Sequence, residues 1–302
     1  HQISLRQLSE QALQLMQQGE LSLQELLPES LRHELQLPEL AAAIAYIHRP
    51  PPDAPVQTLM EREHIMQKRL AFEELLAHTC SMRQLRARAQ QQQALALPAS
   101  QKLLPALERN LPFTLTGAQR RVIEEIQQDM QRASPMQRLV QGDVGCGKTL
   151  VAVAAILVAI EQGYQAAMMA PTEILAEQHY RNMLQWLAPM GITVAWLSGK
   201  LGARERREAL AAIASGAARL IVGTHALFQE QVEFDHLALV VVDEQHRFGV
   251  HQRMALREKG KKDGRHPHQL IMTATPIPRT LAMTVYADLD CSVTVSYTHL
   301  TL

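Results

Sequence analysis

The sequence predicts an α/β protein: a parallel β-sheet layered with helices, preceded by an α-helical region. Three observations carry this. From about residue 111 onward, short apolar runs alternate with amphipathic stretches. One run, residues 237–242, is continuously apolar, as a strand covered on both faces must be. Before residue 111 the chain is rich in Leu and Gln, has no Gly between Gly19 and Gly117, and its apolar residues recur at helical spacing.

At ~100–200 residues per domain, 302 residues allow two units. An apolar share of 47% against 20% charge excludes a largely disordered chain. Aromatics supply only 4%, so Leu, Ala, Val and Ile must build the core. Net charge is zero, which excludes a polycation that holds nucleic acid by bulk charge; any DNA contact must come from a local patch. Cys80, Cys146 and Cys291 are too few and too scattered for a disulfide framework, so a reducing cytoplasm is the expected compartment. The longest apolar run, residues 150–160, is too short to cross a bilayer, and no membrane partner is expected. The chain opens on His1 without a basic-then-apolar leader and reads as a piece of a longer protein.

Residues 1–110 come first. Leu5, Leu8, Leu13 and Met16 keep helical spacing, as do Leu70, Leu75, Leu76 and Met82. Arg49-Pro50-Pro51-Pro52 and Pro55 divide the segment into a short helical part and a long helix, from about residue 59 to about residue 92. Pro98 and Pro105 mark a linker. No catalytic constellation appears, so a helical spacer or brace is the expected role.

Residues 111–292 follow. Strands are expected at 138–141, 165–170, 192–197, 219–222, 237–242 and 269–272. Helices are expected at 149–161, 173–187, 203–214, 252–259 and 279–286. This alternation implies right-handed crossovers, with ligands at the carboxyl ends of the strands.

Gly142-Asp143-Val144-Gly145-Cys146-Gly147-Lys148-Thr149 follows the first strand and opens an apolar helix. That is the context a phosphate loop requires. Glycines let backbone N–H groups turn inward around phosphates, and the helix N-terminus adds its positive end. Lys148 is expected to reach the β/γ-phosphates of ATP, and the Thr149 hydroxyl to ligate Mg²⁺. Cys146 occupies a variable position where a small residue suffices.

A phosphate loop needs an acidic pair on a second strand, and Asp243-Glu244-Gln245-His246 supplies it after residues 237–242. Asp243 can hold Mg²⁺, and Glu244 can orient and deprotonate the attacking water. No second His or Cys sits at zinc spacing from His246, which is read as a polar coupler between the phosphates and neighbouring loops.

Asp243-Glu244-Gln245-His246 is a DExH box, and the chain resembles superfamily 2 helicases. Three runs narrow the resemblance to the RecG family of ATP-dependent DNA helicases: Arg247-Phe248-Gly249-Val250-His251-Gln252, Ala170-Pro171-Thr172-Glu173-Ile174-Leu175-Ala176-Glu177-Gln178-His179, and Met272-Thr273-Ala274-Thr275-Pro276-Ile277-Pro278-Arg279-Thr280. It extends upstream through Arg49-Pro50-Pro51-Pro52 and Phe72-Glu73-Glu74-Leu75-Leu76. The resemblance implies a RecA-like P-loop NTPase domain at 111–292, ATP and Mg²⁺ as cofactors, and an ATP-driven motor that remodels branched DNA in repair and recombination. It also implies that Phe113 and Gln119 recognise adenine, although Thr116-x-x-Gln119 equally fits a capping box that opens the next helix. Pro171, Thr172, Ser198, Gly199, Gly223, Thr224 and His225 sit where such motors contact the DNA backbone. For Thr172 an N-cap is an equal alternative. Thr273 and Thr275 are the implied couplers of the ATP site to the DNA track. Two basic clusters, one around Lys200, Arg204, Arg206 and Arg207 and one around Arg257, Lys259, Lys261, Lys262 and Arg265, are candidate patches, with solvated surface as the default.

Family members carry a wedge domain and a second motor domain, whose arginines reach the γ-phosphate. Neither is visible here, so the wedge and second motor domain are expected partners. Without those arginines transition-state stabilisation falls by ~10³–10⁵. The 302 residues are therefore expected to bind nucleotide, hydrolyse little and not unwind alone. Residues 293–302 do not continue the family sequence and are expected to be an artefactual or disordered tail. Two alternatives stay open: a transcription-repair coupling translocase, and a nucleotide-gated DNA-binding module that never hydrolyses.

Overall fold

The computed structural model describes residues 2–244, 260–274 and 289–294. The chain divides into two compact units, His1–Met82 and Arg83–Leu302.

The first unit holds α1 (Gln2–Gln17), α2 (Glu29–Glu34), α3 (Leu40–His48), α4 (Val56–Met60) and most of α5 (Ile65–Gln90). Prolines 50–52 separate α3 from α4, as they must without backbone donors. The long helix starts at Ile65 rather than near residue 59, because Leu59 and Met60 belong to α4. Buried apolar side chains are few here, and a polar knot joins the loops instead. Arg69 is fully buried. Its Nη2 donates to Glu25 Oε1 at 2.6 Å, its Nε to the Pro38 carbonyl at 3.1 Å, and its Nη1 to Glu73. Burial alone would raise the Glu25 carboxyl, but the Leu27 and Leu40 N–H groups and Arg69 together hold it below its ordinary range.

The second unit is the α/β layer. Its elements run α6 (Leu103–Asn110), α7 (Gly117–Met130), β1 (Gln137–Gln141), α8 (Lys148–Glu161), β2 (Gln165–Met169), α9 (Glu173–Leu187), β3 (Val194–Leu197), α10 (Ala203–Ala214), β4 (Leu220–Gly223), β5 (Leu237–Asp243), β6 (His268–Thr273) and β7 (Asp290–Val293). The strands form one sheet in the order β3-β4-β2-β5-β6-β1-β7. Every pairing is parallel. All six expected strands are present within a residue or two at their ends.

β7 was not expected. It pairs with β1 from Arg138↔Asp290 to Gln141↔Val293, and the Thr294 N–H donates to the Gln141 carbonyl at 2.9 Å. Val293 and Thr294, assigned above to the tail, thus lie along the sheet. Residues 295–302 and the expected helices 252–259 and 279–286 lie outside the described residues.

The apolar run at 150–160 is the inner helix of this layer. Every residue from Leu150 to Ile160 is buried, because α8 packs on β2 and β5 beneath it and on α6 and α7 beside it. Among the described residues no helix is long and apolar enough to cross a membrane.

The proline-marked linker also contains structure. α6 begins at Leu103, which puts Pro105 in the first turn, where a backbone N–H has no helical partner to lose. Glu161, at the end of α8, accepts the Gln101, Lys102 and Leu103 N–H groups at 3.0–3.1 Å and the Ser100 hydroxyl. Burial opposes ionisation of Glu161, but those donors outweigh it and lower its pKa.

His268 fastens the linker to the sheet. Its Nδ1 accepts the Met136 N–H at 2.9 Å, and its Nε2 donates to the Leu95 carbonyl at 2.7 Å. Burial pushes its pKa below the usual 6.5, with the Leu95 bond and the Asp129 charge opposing. The folded protein therefore refuses a proton that the unfolded chain takes up. This contribution is complete above about pH 6.5 and is lost as pH falls toward the folded value. Both tryptophans, Trp186 and Trp196, lie in the second unit, so their fluorescence follows its unfolding. The urea midpoint is expected to drop between pH 7.5 and 5.5, and to drop less in His268→Gln, which starts lower by about 1–3 kcal/mol. Equal pH sensitivity in both proteins would exclude this role.

Candidate functional site

The carboxyl edge of the sheet carries the site. β1 ends at Gln141, and the phosphate-loop residues 142–147 lead directly into α8. Gly145 and Gly147 adopt φ of 84° and 83°, the left-handed region that glycine enters without steric cost. Gly142 is confined differently. A Cβ there would lie 2.0 Å from Thr294 Oγ1 and 2.4 Å from Cys146 Sγ. Lys148 folds back over the loop, its Nζ donating to the Gly142 and Asp143 carbonyls at 2.7 and 2.9 Å.

Thr116 and Gln119 do form a capping box. Thr116 Oγ1 accepts the Gln119 N–H at 3.2 Å, and Gln119 Oε1 accepts the Thr116 N–H at 2.9 Å. Gln119 Nε2 also donates to the Cys146 carbonyl at 3.0 Å, which pins the phosphate loop to the start of α7. Both hydrogen-bonding ends of the Gln119 amide are thus engaged within the protein.

β5 delivers the acidic pair. Asp243 is 9% exposed, and Oδ2 lies 2.7 Å from His179 Nε2 on α9. Glu244 has φ of 50°, a left-handed conformation costly for a side chain of its kind and typical of functional sites. Its Oε1 accepts the Ala274 N–H at 3.1 Å, just after β6, while the Thr273 carbonyl accepts the Gly142 N–H at 3.3 Å. The segment 273–274 therefore touches both the acidic pair and the phosphate loop. His246 and Thr275 lie outside the described residues.

These parts surround one cleft of about 1020 Å³, at the upper end of ligand-sized sites. Phe113, Gln119, Val144, Gly145, Gly147, Lys148, Thr149, Asp243 and Glu244 all line it, whereas Gly142, Asp143 and Cys146 do not. Leu175, Gln178, Asn182 and Trp186 of α9 also line it, and sequence reasoning missed them. Their three- and four-residue spacing on α9 was the available signal. His179 was missed too; its partner is 64 residues away in the chain. Thr149 offers a hydroxyl and Asp243 a carboxylate, the hard oxygen donors that suit Mg²⁺.

The other half of the edge gathers the loops assigned to DNA. Pro171–Thr172, Ser198–Gly199 and Gly223–His225 follow β2, β3 and β4, which are adjacent in the sheet. Thr172 caps α9, accepting the Leu175 N–H at 3.3 Å. Ser198 and Thr224 are buried, and Ser198 Oγ accepts the Lys200 N–H at 3.2 Å. Gly223 has a packing reason of its own: a Cβ there would meet the Leu197 carbonyl at 2.2 Å. In the first basic cluster Lys200 pairs with Glu173 and Arg204 with Glu208, so its charge is partly answered within the chain. Arg257 and Lys259 of the second lie outside the described residues.

Known proteins resemble this chain in sequence and fold. A family model described as DEAD/DEAH box helicase matches residues 116–284. ATP-dependent DNA helicase RecG of Haemophilus influenzae is 55% identical over 293 residues, 97% of this chain and 42% of that protein. The RecG of Escherichia coli strain K12 is 57% identical over the same shares. The chain thus spans less than half the length of these relatives. A structure of RecG bound to a three-way DNA junction matches with a TM-score of 0.74 at 36% identity, covering 93% of this chain and 36% of that one. The DUF1998 helicase MrfA bound to DNA, at 18% identity and a TM-score of 0.51, shares the fold alone. The chain belongs to the DEAD/DEAH box helicase family, and its likeness to the RecG proteins within that family runs over nearly its whole length.

Proposed function

We propose that the chain is the ATP-binding half of a cytoplasmic DNA motor that remodels branched DNA in repair and recombination. One observation supports this above the others: the phosphate loop and acidic pair line a single cleft at the carboxyl edge of the sheet, and the loops assigned to DNA lie at the ends of the adjacent strands β2, β3 and β4, with Thr172 reaching the cleft itself. The likeness to a protein solved on a three-way junction supports branched DNA as the substrate.

The loop 142–147 cradles the triphosphate, Lys148 meets its β/γ oxygens, and Phe113 flanks the base. Gln119 must release the Cys146 carbonyl or the Thr116 N–H to read the adenine edge. Thr149 and Asp243 would hold Mg²⁺, which supplies charge neutralisation at the β and γ oxygens. Glu244 takes the proton of the attacking water, and its bond to Ala274 relays its position to the segment after β6. Backbone N–H groups at the ends of β2, β3 and β4 grip DNA phosphates without reading sequence.

Single-turnover ATP hydrolysis with a three-way junction, alongside titration with a fluorescent ATP analogue, tests the reading. With Glu244→Gln introduced into the intact motor of which this chain is the ATP-binding half, binding is expected to persist, while turnover falls by about 10²–10⁴-fold. Nucleotide binding with hydrolysis indifferent to that change would favour a nucleotide-gated DNA-binding module instead.

A further inference from the structure

His179 and Asp243 form a buried contact that the assignment of the acidic pair leaves unused. The His179 side chain is 9% exposed and that of Asp243 12%. Nε2 lies 2.7 Å from Oδ2. A carboxylate can only accept, so Nε2–H donates. Nδ1 has no hydrogen-bond partner among the described residues, so nothing but Asp243 orients the ring through hydrogen bonding. The ring does not need a second anchor, because α9 carries it. That helix is capped at Thr172, and His179 follows two turns later. Its neighbour Gln178 lines the nucleotide cleft.

The consequence falls on Asp243. A carboxylate at a strand end swings about its last bond unless one oxygen is fixed. With Oδ2 taken by His179, the other oxygen is left for the cleft that Thr149 also lines. We propose that His179 is a positioning residue that presents Asp243 to Mg²⁺, setting metal affinity at the nucleotide site from a helix that starts among the loops assigned to DNA. The proposal rests on the reading of Asp243 as the metal-holding carboxylate. Hydrogen-bond partners of metal-ligating carboxylates are commonly worth 10–100-fold in metal affinity.

The test compares His179→Met with His179→Gln. The two side chains are close in volume, but only Gln offers an N–H at about the reach of Nε2. Each chain is loaded with fluorescent ADP in EDTA and titrated with Mg²⁺. His179→Met is expected to raise the half-saturating Mg²⁺ concentration by about 10–100-fold and to leave EDTA affinity within about threefold. His179→Gln is expected to recover most of the loss. A merely structural histidine would weaken nucleotide binding equally with and without Mg²⁺, and that outcome overturns the proposal. So does a wild-type Mg²⁺ response in His179→Met, or a Gln variant no better than the Met one. A wild-type chain indifferent to Mg²⁺ would instead remove the metal role of Asp243, and the proposal with it.

Discussion

Replacing Lys148 with alanine is expected to weaken nucleotide binding by about 10²-fold, roughly 2.7 kcal/mol. The structure explains why the loss is no larger. The ammonium already has partners within the protein, donating to the Gly142 and Asp143 carbonyls at 2.7 and 2.9 Å. Binding exchanges those neutral acceptors for phosphate oxygens, so the gain is the difference between two kinds of bond. The ammonium is charged in both cases, and a bond with one charged partner already contributes about 1.5–3 kcal/mol. What binding adds is the negative charge of the acceptor. The same geometry predicts that the alanine variant folds normally, because Gly142 is half-buried and Asp143 exposed, so water can reach the carbonyls it frees. Titration with a fluorescent ATP analogue, with tryptophan fluorescence in urea as the folding control, measures both. Unchanged affinity in a folded variant would remove Lys148 from the site.

The parts of this arrangement that depend on neighbours in the chain were legible in the sequence. The capping box is a three-residue interval, and both of its hydrogen bonds form. The phosphate loop is eight consecutive residues, and its two left-handed positions are glycines. The buried strands announce themselves because both faces are covered, so polar residues have nowhere to go. β7 had no such signal. Asp290, Cys291, Ser292 and Val293 make a short run with one strongly apolar residue, and side chains far away hold it: Arg86 pairs with Asp290, and Arg138 donates to Ser292. The contact between His179 and Asp243 was hidden for the same reason. It requires β2 and β5 to lie side by side, which the sheet order decides and no local pattern encodes. Glu244 shows a third limit. Its φ of 50° goes against the preference of its residue type, so sequence reasoning fails there in the way it fails at functional positions generally.

Arg138 carries the second large expected effect, this time on stability. It stands on β1 beneath α7 with a side chain only 10% exposed. Nε and Nη2 both donate to Asp129 Oδ2, at 2.8 and 2.6 Å, and Nη1 reaches Glu125 Oε2 at 3.0 Å as well as Ser292 Oγ. One guanidinium therefore joins helix α7 to the two outer strands at that edge of the sheet. Replacement with methionine fills much of the space but strands the Asp129 carboxylate, itself 7% exposed. Arg132 pairs with its other oxygen at 3.0 Å, yet that side chain is 64% exposed and cannot replace a buried partner. Removing one member of a buried pair costs about 3–5 kcal/mol, because the remaining charge stays desolvated. Arg138→Met is expected to lose that much in urea unfolding followed by tryptophan fluorescence. Removing both charges should be far less harmful, since an apolar pair of similar volume is often neutral. Arg138→Met with Asp129→Leu is therefore expected to be more stable than Arg138→Met alone. A double variant as unstable as the single one would mean that packing around the guanidinium, and not its charge, holds α7 to the sheet.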